Sequence, residues 1–338
     1  MARFDPAAVL ASRPALTALG RLAEQLRAAG YNNRPLPAAY PGAAASRLAL
    51  GHAVERCDWP DDDSRALVAA GAADLTASAL TLRFLLFAAG RTLVVVPKDG
   101  GYDSERVYFG RDSLWLAELA RRIGPPRGAL ADLGSGAGTV AALLADRFDP
   151  VVATDILPRT AASAALTLAL NRRTDGRAAG GAVVADVAGG LRAGAFDLVT
   201  ANPPWVPDRQ PDASGRHRVF AEGGRTGFEL PRRFVAEALT LLRPGGVAVT
   251  LLLDVTWRDG RRPLHALARG LRRLGHDVAI VDTDAERCWP DLAPDLLGRF
   301  PGMAAVRHVA LLVAAGRPLS AAAPSWRGST SSPTAGRW

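Results

Sequence analysis

An apolar strand-like run that ends in Asn202-Pro203-Pro204-Trp205 is the most informative feature of the sequence. Proline lacks an N–H group and fixes φ, so two consecutive prolines end the strand and hold the following backbone rigid. The strand end therefore presents the amide of Asn202, free carbonyl groups and the ring of Trp205. A planar group with N–H bonds could be held there, hydrogen-bonded in its plane and stacked on its face. An ordinary strand before a proline-rich loop would contain the same residues, since Asn-Pro is a common turn.

A second candidate for chemistry is a glycine turn that follows the apolar run at 129–133. The turn holds three glycines at alternate positions, and a helical pattern follows: Gly134, Gly136 and Gly138. Because glycine has no Cβ, a ligand can approach its backbone closely, and a strand, glycine turn and helix predict a nucleotide-type site. About 20 residues further on, a second apolar run ends in Asp155, where a carboxylate would accept from two ribose hydroxyls.

The spacing of the glycines distinguishes two classes of ligand. A dinucleotide motif, G-x-G-x-x-G, would place its third glycine at position 139, which is Thr139 here. The observed G-x-G-x-G suits a ligand without a pyrophosphate, which disfavours a nicotinamide-dependent oxidoreductase. A plain turn would also contain glycines, but Asp155 and Asn202 follow the next expected strands, and three such features are unlikely to coincide by chance.

Together these motifs resemble class I S-adenosylmethionine-dependent methyltransferases of the branch with an Asn/Asp-Pro-Pro-aromatic motif. Within that branch they resemble the release-factor glutamine methyltransferases and their small methyltransferase relatives. The resemblance spans roughly residues 105–315 and includes the glycine turn, Ala185-Asp186-Val187, and the Gly-Gly-x-x-Gly loop after Glu222. Trp205 departs from the group, in which this aromatic residue is usually Tyr or Phe, and suggests a differently shaped substrate slot.

The resemblance implies S-adenosyl-L-methionine as the cofactor and a Rossmann-like α/β sheet of seven strands in the order 3-2-1-4-5-7-6, with the seventh strand antiparallel. Cofactor contacts are implied at ten positions: Asp132, Gly134, Ser135, Gly136, Gly138, Asp155, Ile156, Asp186, Val187 and Asn202. Catalytic contacts are implied at Asn202, Pro203 and Trp205. Substrate contacts are expected at four further positions: Phe109, Asp112, Pro204 and Glu222.

The resemblance also implies N-methylation, for which the acceptor nitrogen must offer its lone pair. Hydrogen bonds from an acceptor NH₂ to the Asn202 side-chain oxygen and the Pro203 carbonyl would favour a pyramidal nitrogen and strengthen in the transition state. Three acceptors remain open. The Gly-Gly-x-x-Gly loop favours a protein glutamine, net charge favours an RNA or DNA base amine, and Trp205 favours a small-metabolite amine, amide or guanidine. The intact Asn202 disfavours a non-catalytic binding protein.

Composition narrows the partners and the compartment. The net charge is +8, but of 41 basic residues only Lys98 is a lysine, and the arginines are scattered or paired on helix-like stretches. This indicates a general compositional preference for arginine and solvated helix faces, so a nucleic-acid partner is not favoured. Cys57 and Cys288 lack metal-ligand spacing, which fits a reducing cytoplasm, and the five histidines form no metal-binding pair. Because neither the cysteines nor the histidines have metal-ligand spacing, we expect no metal. No uninterrupted apolar run reaches 18 residues, so we expect no membrane partner.

The pattern divides the chain into three parts. Residues 1–100 are expected to form a helical module closed by a β-hairpin at 80–88 and 91–96, similar to a winged helix. Residues 101–316 alternate strands and helices and form the expected cofactor-binding catalytic domain. Its strands are expected near 129–133, 151–155, 181–186, 196–201, 246–253, 277–282 and 304–313, and its helices near 138–147, 158–170, 228–242 and 261–274. Residues 317–338 are rich in Ser, Ala, Pro and Gly and are expected to be a disordered tail.

Overall fold

The computed structural model describes residues 3–98, 106–123, 125, 127–171, 179–207, 221–283, 291–316 and 319. The helices in these ranges are α1 (Pro6–Ala11), α2 (Arg13–Ala28), α3 (Ala43–Ala49), α4 (Asp61–Ala69), α5 (Arg111–Ile123), α6 (Thr139–Leu144), α7 (Pro158–Leu170), α8 (Glu229–Leu241), α9 (Pro263–Arg273) and α10 (Leu292–Arg299). The strands are β1 (Val54–Glu55), β2 (Ala73–Leu75), β3 (Ala79–Leu82), β4 (Phe84–Ala89), β5 (Thr92–Pro97), β6 (Gly128–Leu133), β7 (Phe148–Asp155), β8 (Gly181–Val184), β9 (Phe196–Ala201), β10 (Leu242–Trp257), β11 (Asp277–Asp282) and β12 (Met303–Ala314).

Seven strands form one sheet in the order β8-β7-β6-β9-β10-β12-β11. Strands β6 to β10 are mutually parallel, whereas β12 runs antiparallel to both β10 and β11. Counted from β6, this order is 3-2-1-4-5-7-6 with an antiparallel seventh strand. The predicted α/β, Rossmann-like methyltransferase fold is therefore confirmed.

The central strands of the sheet are buried on both faces, as expected for parallel strands joined by helices. Neighbouring residues of a strand enter different cores: Leu130 packs with helices α5, α6 and α7, and Ala131 packs with α8. Helix α9 covers the same face as α8, next to β10 and β12. These apolar layers fix the strand register, since a slip by one residue would exchange the two faces.

Strand register brings the predicted motifs to one edge of the sheet. Leu133, the last residue of β6, lies opposite Thr154 of β7 and opposite Ala201 of β9. The residues that follow these three positions are Gly134, Asp155 and Asn202. Because the strands are parallel, all three emerge at the same carboxyl edge, where open α/β sheets bind their ligands.

The part of the fold around β10 and β12 is larger than the sequence predicts. Strand β10 continues to Trp257, beyond the predicted end at 253, and remains paired with β12 along this extension. Helix α10 was not predicted; its Leu296 is buried against the extension, together with Leu253 and Met303. The pattern of α10 is short and contains Pro294, so its amphipathic character is clear only once it packs on the strands.

The N-terminal elements share one apolar core, which Leu166 and Leu170 of α7 also join. The predicted hairpin is partly wrong, because the strand expected at 80–88 is divided at Arg83. Strand β3 pairs with β1 and β2, whereas β4 pairs with β5. The backbone N–H of Arg83 donates to the Ala72 carbonyl beside β2, and its carbonyl accepts from the Lys98 N–H after β5, so the chain changes pairing partners at this residue. The guanidinium of Arg83 pairs with the Asp74 carboxylate.

The tail expected at 317–338 lies outside the described residues, apart from Leu319. In the part of the chain that is described, none of the helices combines the length and apolar character needed to cross a membrane.

Asp132 on β6 gives the fold a pH dependence. Its carboxylate is 2% exposed and accepts hydrogen bonds from the Thr200 hydroxyl at 2.7 Å and from the Ala141 N–H at 3.3 Å. Burial raises its pKa to about 7. The folded protein therefore favours the protonated carboxyl, whose contribution to stability is largest below about pH 4 and is lost as the pH rises through about 7.

We expect Asp132→Asn, which keeps the shape and an acceptor oxygen, to reduce the loss of unfolding free energy between pH 5 and pH 8 by ~1–4 kcal/mol. Urea unfolding at several pH values measures this loss. Asp62→Asn, at an exposed carboxylate, is the matched control and should leave the pH profile unchanged. An identical profile for Asp132→Asn and the parent protein would contradict the assignment.

Candidate active site

A cavity of about 1000 Å³ opens at the carboxyl edge of the sheet. It extends from the glycine turn and the end of β7 to the Asn-Pro-Pro-Trp segment and α10. Most of the predicted site residues line it: Phe109, Asp112, Gly134, Gly136, Asp155, Ile156, Asp186, Val187, Asn202, Pro203, Pro204 and Trp205. Four predicted residues are not on its wall: Asp132, Ser135, Gly138 and Glu222.

The glycines of the turn are required by neighbouring segments of the protein as well as by the cavity. All three glycines have positive φ, and a Cβ on Gly136 would lie 2.6 Å from the Tyr108 carbonyl oxygen. A Cβ on Gly138 would lie 2.8 Å from the Cα of Ala164 on α7. These two glycines therefore admit neighbouring protein segments, a reason that the sequence analysis, which invoked a ligand, did not identify. Gly134 faces the ring of Phe234, another cavity residue.

Asp155, at the end of β7, has a carboxylate fixed by the backbone. It accepts hydrogen bonds from the Gly136 N–H at 3.2 Å and from the Leu157 N–H at 3.0 Å. Burial raises its pKa to about 6, so it is mainly ionised at neutral pH. A fixed, ionised carboxylate on the cavity wall is suited to accept from vicinal hydroxyl groups.

Next to Asp155, the cavity wall is apolar with one charged rim residue. Ile156 is 51% exposed although it is aliphatic, and Val187 is held with φ of 54° while its carbonyl accepts from the Thr154 hydroxyl at 2.7 Å. The Asp186 carboxylate forms an ion pair with Arg233 of α8 at 2.9 Å. An exposed apolar shelf with a polar rim suits a flat heteroaromatic ring.

At the other half of the cavity, Asn202 has a fixed amide. Its Nδ2 donates to the Asp112 carboxylate at 2.6 Å, and the Tyr108 hydroxyl donates to the same oxygen at 2.8 Å. Asp112 is 4% exposed, and burial raises its pKa. Within the described residues, the Oδ1 oxygen of Asn202 accepts no hydrogen bond, so it is available to a bound molecule.

Trp205 combines a wall position with packing. It lines the cavity, and its ring centroid lies 5.5 Å from that of His308 in an edge-on arrangement. Trp205 also packs against the buried cluster that includes Leu253 and Leu296. Burial lowers the pKa of His308 to about 4, so the partner ring is neutral at pH 7. Both a stacking and a structural role are compatible with this position.

The Gly-Gly-x-x-Gly loop braces the Pro-Pro-Trp segment from outside the cavity. Glu222 forms a bridge with Val206, and the Gly223 N–H donates to the Val206 carbonyl at 2.9 Å. A Cβ on Gly223 would lie 2.7 Å from the Cα of Trp205. Glu222 therefore supports the segment through its backbone, although it was expected to contact substrate.

The cavity also contains residues that the sequence did not indicate: Arg106, Tyr108, Gly110, Arg111, Leu157, Thr160, Val206, Ala221, Leu230, Phe234, Asp291, Leu292 and Asp295. Tyr108 directly precedes Phe109 and could have been found by its position in the same segment. Phe234 on α8 and Leu292 on α10 carry no local signal, because only tertiary packing brings their helices to the cavity.

The lining fits a charged nucleoside ligand. The cavity offers an ionised acceptor, an apolar shelf and glycine backbone, and it is large enough for a nucleoside joined to an amino acid. Among the described residues, the hydroxyls of Ser135, Thr139 and Thr160 are buried without a hydrogen-bond partner, and Thr160 lines the cavity. Within the same residues, no group of three or more His, Cys, Asp or Glu side chains could hold a metal ion.

Comparison with known proteins finds similarity to methyltransferases. Residues 95–253 match the family model of the methyltransferase small domain. The chain is 34% identical over 199 residues to the release factor glutamine methyltransferase of Deinococcus radiodurans, covering 55% of this chain and 61% of that relative. It is 30% identical over 148 residues to the ribosomal RNA small subunit methyltransferase C of Alcanivorax borkumensis, covering 44% and 39%. A solved structure of M. jannaschii TYW2 in complex with AdoMet aligns with a TM-score of 0.42 and 13% identity, over 70% of this chain and 89% of that chain.

The matched regions span less than two thirds of both curated relatives. Within this chain, the family model covers every strand from β6 to β9 and most of β10. The chain thus resembles, as its motifs predict, the S-adenosylmethionine-dependent methyltransferases of the release-factor glutamine methyltransferase and small methyltransferase group.

Proposed function

We propose that this protein is an N-methyltransferase that transfers the methyl group of S-adenosylmethionine to a planar nitrogen, with a protein glutamine side chain as the acceptor. The observation that carries the proposal is the fixed amide of Asn202, whose Nδ2 is held by Asp112 at 2.6 Å. This amide shares one cavity with Asp155 and the glycine turn. A nitrogen-binding group and a nucleoside-binding group thus face the same space.

The residues proposed to hold the cofactor lie in one half of the cavity. Asp155 would accept from the ribose hydroxyls, Ile156 and Val187 would contact the adenine, and Asp186 would lie beside it. The turn at Gly134 and Gly136 gives room to the methionine part. The cofactor supplies an electrophilic methyl group bound to a sulfonium.

In the other half, the protein orients the acceptor and makes its lone pair available. The Asn202 Oδ1 and the Pro203 carbonyl accept the two N–H bonds of the acceptor NH₂, and the Trp205 ring stacks on its plane. These bonds favour a pyramidal nitrogen, and they strengthen as positive charge develops there. The methylated nitrogen then releases its extra proton to water, so the mechanism requires no strong base.

The choice of glutamine rests on two observations. The Gly-Gly-x-x-Gly loop braces the Pro-Pro-Trp segment, and one curated relative is named a release factor glutamine methyltransferase. The name of the second relative, a ribosomal RNA methyltransferase, favours an RNA base amine as the second candidate. A small metabolite remains the third candidate because Trp205 departs from the group's usual aromatic residue.

Methyl transfer from isotope-labelled S-adenosylmethionine distinguishes these acceptors. The assay offers glutamine-containing proteins and peptides, RNA and a metabolite pool in separate reactions, followed by mass spectrometry of the products. We expect the label on a glutamine side-chain nitrogen. Transfer only to RNA or only to a metabolite would overturn the glutamine assignment, and transfer to carbon or oxygen would overturn N-methylation.

Asp155 should make cofactor binding depend on pH. Its ionised form accepts from the ribose, and its pKa is about 6, so we expect the Kd of S-adenosylmethionine to fall as the pH rises from 5 to 7. Asp155→Ala should weaken binding by ~1.5–3 kcal/mol at pH 7.5 and abolish this pH dependence. Titration calorimetry measures both. Unchanged affinity in the variant would remove Asp155 from the cofactor site.

Asn202→Ala should lower kcat by roughly 10²–10³, because it removes a preorganised acceptor that acts in the transition state. Cofactor affinity should stay nearly unchanged. Asn32→Ala, at an exposed asparagine, is the control. The proposed role of Asn202 would be wrong if the variant turned over its substrate at close to the parental rate.

Trp205→Phe should be tolerated, whereas Trp205→Ala should lose at least tenfold in kcat/KM. A stacked aromatic pair contributes about 0.5–1.5 kcal/mol beyond area burial, to which the lost contact area adds. Because the ring also packs beside His308 and Trp205 contacts the buried cluster that includes Leu296, the alanine variant should unfold at a lower temperature as well. Measuring Tm and kcat/KM on one preparation separates the two roles. Lost stability with full kcat/KM in the folded fraction would make Trp205 purely structural.

A further inference from the structure

We propose that Asp112 is a positioning residue that acts through Asn202, and that Tyr108 connects this pair to the glycine turn. The inference rests on the proposed function, in which the Asn202 Oδ1 accepts from the acceptor nitrogen. It changes the expected role of Asp112, which the sequence analysis placed among the substrate contacts. In this assignment Asp112 holds no substrate; it determines which end of the Asn202 amide the substrate meets.

The carboxylate of Asp112 is surrounded by donors. One oxygen receives the Asn202 Nδ2 at 2.6 Å and the Tyr108 hydroxyl at 2.8 Å, and the other receives the Ser113 N–H at 2.9 Å. Among the described residues, no cation forms an ion pair with it. A buried carboxylate without a cationic partner is costly unless hydrogen bonds satisfy it, so these three bonds determine its position.

This arrangement favours one orientation of the Asn202 amide. The terminal torsion of asparagine is broad and roughly two-fold, so a free amide would present its oxygen or its NH₂ to the cavity with similar ease. Asp112 can accept but, when ionised, cannot donate. It therefore keeps the NH₂ on its own side, and the Oδ1 faces away from it. The flipped amide would set an NH₂ against the acceptor NH₂, with no hydrogen bond between them.

Tyr108 connects the oriented amide to the cofactor half of the cavity. Its carbonyl accepts from the Ala137 N–H at 2.9 Å and closes over Gly136, while its hydroxyl reaches Asp112. One residue thus contacts the glycine turn with its backbone and the Asp112–Asn202 pair with its side chain. A shift of the turn would therefore be transmitted to the amide through Tyr108 as well as through the pairing of β6 with β9.

A purely structural role for Asp112 is the alternative, because the residue lies in the first turn of α5 and its carboxylate bonds the next N–H. Both roles predict that Asp112→Ala loses stability. Only the positioning role predicts that the loss of activity disappears once Asn202 is absent. Asp63, another buried carboxylate, pairs with Arg21 outside the cavity and supplies a matched structural control.

The first test reports the amide directly and needs no acceptor. Asn32, Asn33, Asn171 and Asn202 are the asparagines of the sequence, so protein labelled with ¹⁵N-asparagine gives four side-chain amide signals. We expect the Asn202 signal, identified by its loss in Asn202→Ala, to exchange slowly with solvent and to shift strongly in Asp112→Asn. Asn202 exchange as fast as that of exposed Asn32, with no shift in Asp112→Asn, would overturn the inference.

The second test is a double-mutant cycle on whichever acceptor is methylated. We expect Asp112→Ala to lower kcat roughly 10- to 100-fold with little change in acceptor KM, and to cost less than about threefold in the Asn202→Ala background. Asp112→Asn, which keeps the shape of the side chain, should have a kcat between those of the parent protein and Asp112→Ala. Asp63→Ala should keep the parental kcat in its folded fraction. Equal losses in both backgrounds would overturn the inference. If no acceptor is methylated, the proposed function fails while the amide signals still decide the role of Asp112.

Discussion

The alignment of three strand ends is the constraint on which the rest of the structure depends. Leu133, Thr154 and Ala201 lie side by side in β6, β7 and β9, and the residue after each of them faces the cavity. Apolar packing on both faces of the sheet holds this alignment, because a slip by one residue would turn core side chains to the wrong face. The chemistry at the edge is therefore positioned by a core that takes no part in it.

Hydrogen bonds refine what the sheet arranges. The Asp155 carboxylate is fixed by two N–H groups from its own loop and the glycine turn. The Asn202 amide is fixed by a carboxylate from a segment about 90 residues earlier in the chain. In both cases a polar group on the wall has its position set by partners behind it, so a ligand meets groups that lose little freedom on binding.

The sequence predicts the parts of this arrangement that depend on local pattern or on a resemblance. Strands β9 and β11 and helix α7 begin and end at the predicted residues, and the resemblance supplies the strand order. Features that depend on distant contacts were not predictable. The chain changes pairing partners at Arg83, whose guanidinium meets Asp74, and α10 packs on the extended β10. Asp186 meets Arg233 only when α8 packs beside the loop after β8. Short polar contacts between distant segments leave no periodic signal along the chain.

The close approach of Tyr108 to Gly136 and of Ala164 to Gly138 affects how sequence relatives can be interpreted. Both glycines are required by the backbone that crosses them, whatever occupies the cavity. A descendant that had lost catalysis while retaining the fold would be under the same pressure to keep them. The glycine spacing therefore reflects how the polypeptide is folded. In a lineage that had lost activity, substitutions would appear first at Asn202 and Asp155, which are retained for their contacts with ligands.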